Sequence, residues 1–262
     1  MTRATEEHAV DIGAGISMPI IGLGTWALRG SAGRAAVRQA LEAGYRHVDT
    51  ATAYGNEAEV GRAIRDSGVP REDVFVTTKL PPERAGRERE IIAASLHALD
   101  TDYVDLWLIH WPPGDGAAPR TWRELISARR DGLVRAIGVS NYLIAQIDEL
   151  TEATGETPAV NQIRWGPSLH DARRLLEHRD RGVVLEGYSP FKSTDLRHPT
   201  LARVAKTYGV TPAQVVVRWH VEHRIVVIPK SSRPERLRTN ADVFGFSLSA
   251  EEVAHIDAMS RR

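Results

Sequence analysis

Four side chains in this sequence could together pass a proton to or from an oxygen atom: Asp49, Tyr54, Lys79 and His110. A phenol titrates near pH 10 and exchanges protons poorly at neutral pH, but a nearby ammonium favours the phenolate and lowers that value. Lys79 can supply the ammonium. A lysine inside an apolar site tends to lose its proton, and a carboxylate such as Asp49 keeps it charged. His110 can then hydrogen-bond a substrate oxygen and hold a carbonyl beside the tyrosine. Such a set suits protonation of a carbonyl oxygen while another group delivers hydride to its carbon. Taken singly, each residue reads as a structural or exposed polar group, so the case rests on what brings them together.

What brings them together is a recurring pattern: an apolar run that stops on a polar residue. The run ends fall at Asp49, Lys79, His110, Ser140-Asn141, Gln162, Tyr188 and Lys230. Through Tyr188, successive ends are 30, 31, 30, 22 and 26 residues apart, each compatible with one parallel strand–helix unit. The 42 residues from Tyr188 to Lys230 leave room for two helices, 199–208 and 212–222. With Ile20–Gly24 as the first strand there are eight strands. Eight alternating units predict a closed parallel (β/α)8 barrel of the TIM type, with the polar ends converging on its C-terminal face. Residues 9–12 and 16–18, joined by Gly13-Ala14-Gly15, read as a hairpin that plugs the opposite mouth.

Helix starts are marked by capping-box spacings at Asn56/Glu59, Thr211/Gln214 and Ser249/Glu252. The competing architecture, a doubly wound open sheet, is disfavoured because Gly22-Leu23-Gly24 lacks the third glycine of the dinucleotide fingerprint.

Length and composition agree with one barrel domain over residues 1–262, since about 250 residues is typical of the fold. Lys+Arg and Asp+Glu are 34 each, so no net field draws the chain to nucleic acid. With no cysteine, disulfides, thiolate metal sites and a cysteine nucleophile are excluded. No run approaches a membrane span or a signal-peptide core, so the expectation is a cytoplasmic protein without membrane contact.

The sequence resembles the aldo-keto reductases along nearly its whole length. The resemblance is carried by Gly22-Leu23-Gly24-Thr25-Trp26, residues 44–51, Tyr54-Gly55-Asn56-Glu57, residues 105–112, Gly138-Val139-Ser140-Asn141, Asn161-Gln162, Tyr188-Ser189-Pro190 and Ile228-Pro229-Lys230-Ser231. It is nearest to bacterial members that include the 2,5-diketo-D-gluconate reductases. It implies a catalytic tetrad at Asp49, Tyr54, Lys79 and His110, with Tyr54 as general acid, and NADPH as cofactor. By the same resemblance Ser140, Asn141 and Gln162 hold the nicotinamide carboxamide, Tyr188 stacks on the ring, and Ser189 and Phe191 line the pyrophosphate. Thr25, Trp26 and Asn240 are further implied cofactor contacts. Lys230, Ser231 and Arg236 place two cations and a hydroxyl close together, a combination suited to the 2′-phosphate of NADPH. Trp26 and Trp111, with Tyr54 and His110, are candidates for the wall of a substrate pocket, or equally for core. The partner implied is a small-molecule carbonyl compound, and the family's habit is a monomer.

Three departures from the family pattern stand out: Arg164-Trp165-Gly166 after Gln162, Thr239 before Asn240, and an end at Arg262 that omits most of the closing C-terminal loop, which predicts an open pocket. Among other signals, His220 and His223 read as surface histidines of a helix rather than metal ligands, no third ligand being evident. Trp122 and Trp219 read as packing against the barrel. Two rival functions remain in view. One is a barrel aldolase with a Schiff base on Lys79, which leaves Ser140-Asn141 and the Lys230 cluster without a role. The other is a noncatalytic, NADPH-binding regulatory barrel, which leaves the tetrad without one.

Overall fold

The computed structural model describes residues 8–114 and 116–260. Strands β1 (Ala9–Asp11) and β2 (Ser17–Pro19) form the antiparallel hairpin, in register Val10 with Met18. Eight parallel strands follow in sequence order: β3 (Leu23–Gly24), β4 (His47–Asp49), β5 (Phe75–Leu80), β6 (Val104–Ile109), β7 (Val134–Ser140), β8 (Val160–Arg164), β9 (Val184–Tyr188) and β10 (Val226–Ile228). Helices α1 (Gly30–Glu42), α2 (Glu57–Ser67), α3 (Glu88–Leu99), α4 (Pro119–Arg130), α5 (Ile144–Thr154) and α6 (Ala172–Asp180) alternate with the strands. Two helices, α7 (Pro199–Tyr208) and α8 (Pro212–Glu222), separate β9 from β10, and α9 (Pro234–Ala241) and α10 (Ala250–Asp257) follow. No helix is long and apolar enough to cross a membrane, among the described residues.

The first strand of the barrel is shorter than the sequence predicts, and its reason is the closure of the ring. Only Leu23 and Gly24 pair with β4, whereas the preceding backbone turns to the last strand: Gly22 N–H donates to Val227 O, Val227 N–H to Ile20 O, and Ile21 bridges Val227. One short segment is thus shared between its two neighbours. The glycines that looked like a defective dinucleotide fingerprint serve this seam. A Cβ on Gly22 would lie 2.4 Å from His47 Nδ1, and one on Gly24 2.9 Å from the carbonyl oxygen of Ile228.

The apolar runs are buried from end to end in β5 and β6, as strands covered on both faces must be. Helices lay their apolar stripes on them: Val37, Ala40 and Leu41 from α1, Trp122 and Leu125 from α4, and Trp219 from α8 are all buried. Val10, Ile12, Ile16 and Met18 of the hairpin join the same core, as expected of a plug at the N-terminal mouth. Thr211 and Ser249 form complete capping boxes. Asn56 does not. Its amide is drawn inward to donate to the carbonyls of Thr25 and Leu28, and its oxygen accepts from Thr50 Oγ1, so it staples the loop after β3 to the loop after β4.

Replacing Gly22 by alanine is expected to destabilise the chain by about 1–3 kcal/mol, since the new methyl meets a buried imidazole with nowhere to move. A urea unfolding midpoint unchanged from the parent would show that the seam can relax.

Candidate active site

Every polar run end is delivered to the C-terminal face, but the side chains take up different depths. Lys79 is fully buried at the floor, its ammonium donating to Asp49 Oδ1 at 2.7 Å, to Asp49 Oδ2 at 2.6 Å and to the backbone oxygen of Thr50 at 2.8 Å. Burial alone would strip its proton, but Asp49 outweighs this and holds the Lys79 pKa above the usual lysine value. The hydroxyl of Tyr54 lies 3.5 Å from the same ammonium, and the Tyr54 ring stands edge-on to His110 with centroids 5.7 Å apart. These four groups form one cluster, as the sequence predicts.

Their electrostatics differ from expectation at Tyr54. Proximity of Lys79 suggests a lowered phenol pKa, yet the value is raised. Burial is the largest effect, outweighing the ammonium, and the charge of Asp49 pushes in the same direction as burial. His110 is depressed to about 3 by burial and by Lys79, so it is a neutral imidazole at physiological pH. What the cluster offers an incoming carbonyl is therefore a protonated phenol and a neutral imidazole.

The cluster opens into a cleft of about 560 Å³. Of the residues singled out in the sequence, Trp26, Trp111, Ser140, Asn141, Gln162, Tyr188, Ser189, Phe191 and Lys230 line it with Asp49, Tyr54 and His110. Trp26 and Trp111 are 58 % and 48 % exposed, which assigns both to the cleft wall and not to the core. The others lie off it. Thr25 is buried with its hydroxyl on the Asp49 carbonyl, Ser231 bonds the backbone of Arg233, Arg236 is exposed on α9, and Asn240 is buried near that helix's end.

A polar network orders the wall between these groups. Tyr188 Oη donates to Asn141 Oδ1 at 2.9 Å, the Asn141 amide donates to Ser140 Oγ and to the carbonyl of His110, and Ser140 Oγ donates to the Gln162 carbonyl. Asn141 sits at a left-handed φ of 63°, a conformation asparagine tolerates better than most residues. The Gln162 amide gives one N–H to Asp49 Oδ2 at 2.8 Å and the other to Glu186 Oε2 at 2.9 Å. With both donors engaged, its free capacity is an acceptor.

Sequence reasoning missed three members of this site. Glu186 is fully buried and is the register partner of Gln162, so both point into the barrel. Burial and the Asp49 charge push its carboxyl up to about 8, and the neighbouring His47 is pushed down to about 3 by burial. The signal was a glutamate interrupting an otherwise apolar strand, Val183-Val184-Leu185-Glu186-Gly187. Lys192, the third, places its ammonium 4.8 Å over the Trp26 ring across the cleft mouth, and nothing in its exposed, Ser/Thr-flanked loop announced this.

Converging acid–base groups on the C-terminal face of a (β/α)8 barrel, beside a wall of amide and hydroxyl groups, stand where enzymes of this fold carry their active sites. Comparison with known proteins agrees. Residues 20–261 match the aldo/keto reductase family model. The chain is 46 % identical over 245 residues to 2,5-diketo-D-gluconic acid reductase B of a Corynebacterium species, covering 92 % of this chain and 88 % of that one. The crystal structure of an aldo/keto reductase from Brucella melitensis superposes with a TM-score of 0.91 at 39 % identity, covering 96 % and 98 % of the two chains. That of a Bombyx mori aldo-keto reductase in complex with NADP gives 0.89 at 33 % identity, covering 97 % and 94 %. The chain belongs to the aldo/keto reductase family, and is an oxidoreductase.

In the unfolded chain Glu186 ionises near 4.5, whereas the folded chain keeps its proton to about pH 8. Between those values the unfolded state binds fewer protons, so this group lowers stability as pH rises through the window. Glu186→Gln keeps the acceptor for Gln162 and removes the dependence. The melting temperature of the variant relative to the parent is expected to climb from about pH 5 to about pH 8; a constant difference would mean that Glu186 is ionised in the fold.

Proposed function

We propose that this chain reduces aldehydes or ketones to alcohols with NADPH, Tyr54 delivering the proton. The observation that carries the reading is the floor of the cleft: a phenol kept protonated, 3.5 Å from an ammonium that stabilises the phenolate left when the proton goes, beside a neutral imidazole. His110 can donate a hydrogen bond to a carbonyl oxygen and hold it near the Tyr54 hydroxyl. When the carbonyl carbon receives hydride, negative charge grows on that oxygen. Tyr54 passes its proton there and becomes a phenolate facing Lys79.

The wall of the cleft fits a nicotinamide dinucleotide by the chemistry of its donors. Gln162, Ser140 and Asn141 present amide and hydroxyl oxygens with acceptor capacity left over, and Tyr188 presents an aromatic face, matching a carboxamide-bearing ring. NADPH, when bound, supplies the hydride from C4 of its ring. Lys192 and Lys230 at the cleft, with Arg236 exposed beyond it, are cations placed to take its phosphates, and Arg236 with Lys230 suits the 2′-phosphate. The relative crystallised with NADP supports the same choice.

A Schiff-base role for Lys79 requires a neutral, reachable amine. Here the amine is fully buried, bonded to three oxygens and held charged, so the aldolase reading is not favoured.

Tyr54→Phe is expected to lower kcat for carbonyl reduction by about 10²–10⁴-fold while NADPH binding, read by fluorescence, is retained. Retention of turnover would remove Tyr54 as the proton donor, whereas NADPH binding with no turnover of any carbonyl by the parent would return the chain to the regulatory reading. Arg236→Ala should raise KM for NADPH by roughly tenfold, the value of one charge-assisted hydrogen bond, and leave KM for NADH unmoved. An equal effect on both cofactors would remove the 2′-phosphate role.

A further inference from the structure

Away from the cleft, two histidines and an aspartate converge from three separate elements. His170 follows the 3-10 turn Pro167–Leu169 beyond β8, His223 follows α8, and Asp257 is the last residue of α10. Their side chains are 9 %, 15 % and 26 % exposed. The sequence reading put His220 and His223 together on a solvent-facing surface, and the structure corrects it. His220 is fully buried with Nδ1 on the Val216 carbonyl, while His223 turns to the C-terminal helix, its Nε2 2.8 Å from Asp257 Oδ1. The third ligand that the sequence did not disclose is His170, whose Nε2 lies 3.6 Å from the other carboxylate oxygen, Oδ2.

We propose that His170, His223 and Asp257 form a binding site for a divalent transition cation of the zinc type, unrelated to the carbonyl chemistry. One ligand atom from each residue lies within 4.8 Å of the other two. Metal–ligand bonds of about 2.0–2.2 Å at tetrahedral angles put ligand atoms roughly 3.4 Å apart, and the observed 2.8 Å and 3.6 Å fall on either side of that value. With Oδ1 as the carboxylate donor, entry of a cation asks the His223–Asp257 pair to part by about half an ångström, and one donor atom of each residue already lies within 4.8 Å of the others.

Ligand chemistry selects the class. Two imidazoles with one carboxylate suit zinc, cobalt(II) or nickel(II) and do not suit the all-oxygen preference of calcium or magnesium. Three protein ligands leave a fourth position for water.

The surroundings are those of a supported site. Trp219 Nε1 donates to Asp257 Oδ1 at 2.8 Å, fixing the carboxylate from behind as outer partners of metal ligands do. The rings of Trp219 and Trp165, both fully buried, stand edge-on to His170 at 5.6 Å and 6.1 Å and wall the cluster on the protein side. The two imidazoles lie at 29° to each other with centroids 5.2 Å apart, close enough for their nitrogens to share one ion. A bound cation would tie the segment after β8 to the C-terminal helix and to α8.

The test uses the full-length, untagged protein stripped with a chelator and titrated with Co²⁺ and, separately, Zn²⁺. Expected are one equivalent of Co²⁺ with a visible absorption band, and a rise in melting temperature of about 5 °C at a hundredfold excess of Zn²⁺ over its dissociation constant. His170→Ala and His223→Ala should each abolish band and shift, and substitution of the exposed His97 should leave both. Since the alanine variants can loosen the fold, Asp257→Asn serves as the second probe. It keeps an oxygen for Trp219 but removes the anionic ligand, and should weaken Co²⁺ binding at least tenfold with little change in the metal-free melting temperature. Absence of the band at millimolar Co²⁺, or its persistence in both histidine variants, would overturn the site and leave a hydrogen-bonded clasp.

Discussion

The ion pair of Lys79 and Asp49 at the barrel floor dictates most of what surrounds it. An ammonium with no solvent contact is tolerable only if its hydrogens and its counter-charge are fully satisfied, and losing one partner of such a pair costs about 3–5 kcal/mol. Lys79 has three close oxygens, two from Asp49 and one from Thr50. Asp49 then needs a further donor, which is Gln162, and the second N–H of Gln162 needs an acceptor, which is Glu186. Glu186 cannot be a second anion in this space, so it stays protonated, with His47 neutral 3.7 Å away. The sequence of demands crosses β4, β5, β8 and β9. It ends at Gly22, bare of a side chain because the His47 ring occupies that place at the barrel seam.

Much of this was legible in the residues themselves. Polar residues ending apolar runs gave the strand ends, their spacing gave parallel units, and proline-led capping at Thr211 gave the two helices before the last strand. What the sequence could not disclose depends on which way a side chain turns. Asn56 has the spacing of a cap but serves buried carbonyls. Ile20–Gly24 reads as one strand but divides its hydrogen bonds between two neighbours. His223 sits near the end of an amphipathic helix, and only the packing of α10 against α8 reveals that it meets Asp257 and His170, 34 residues later and 53 earlier. Glu186 is a different kind of omission. A carboxylate inside an inward-facing apolar strand is itself a signal, since such a group is almost never buried without a partner.

The charge state of Tyr54 follows from burial, with the two members of the pair acting on it in opposite senses, and limits what the cluster can do. The field of Lys79 favours phenolate, but burial of the ring raises its pKa by more. Burial is the largest effect and Asp49 adds to it, so the phenol keeps its proton. At the floor Lys79 and Asp49 then form the charged pair, with Glu186, His47 and His110 neutral around it. Only an event that places negative charge on an oxygen beside Tyr54 makes the transfer favourable, because the proton then leaves one oxygen to neutralise another and the phenolate inherits the ammonium as neighbour. On the proposed reading, a balanced floor of this kind holds the proton until charge develops at a bound carbonyl, and that coupling, more than acidity of the tyrosine itself, is what would set the timing of the transfer.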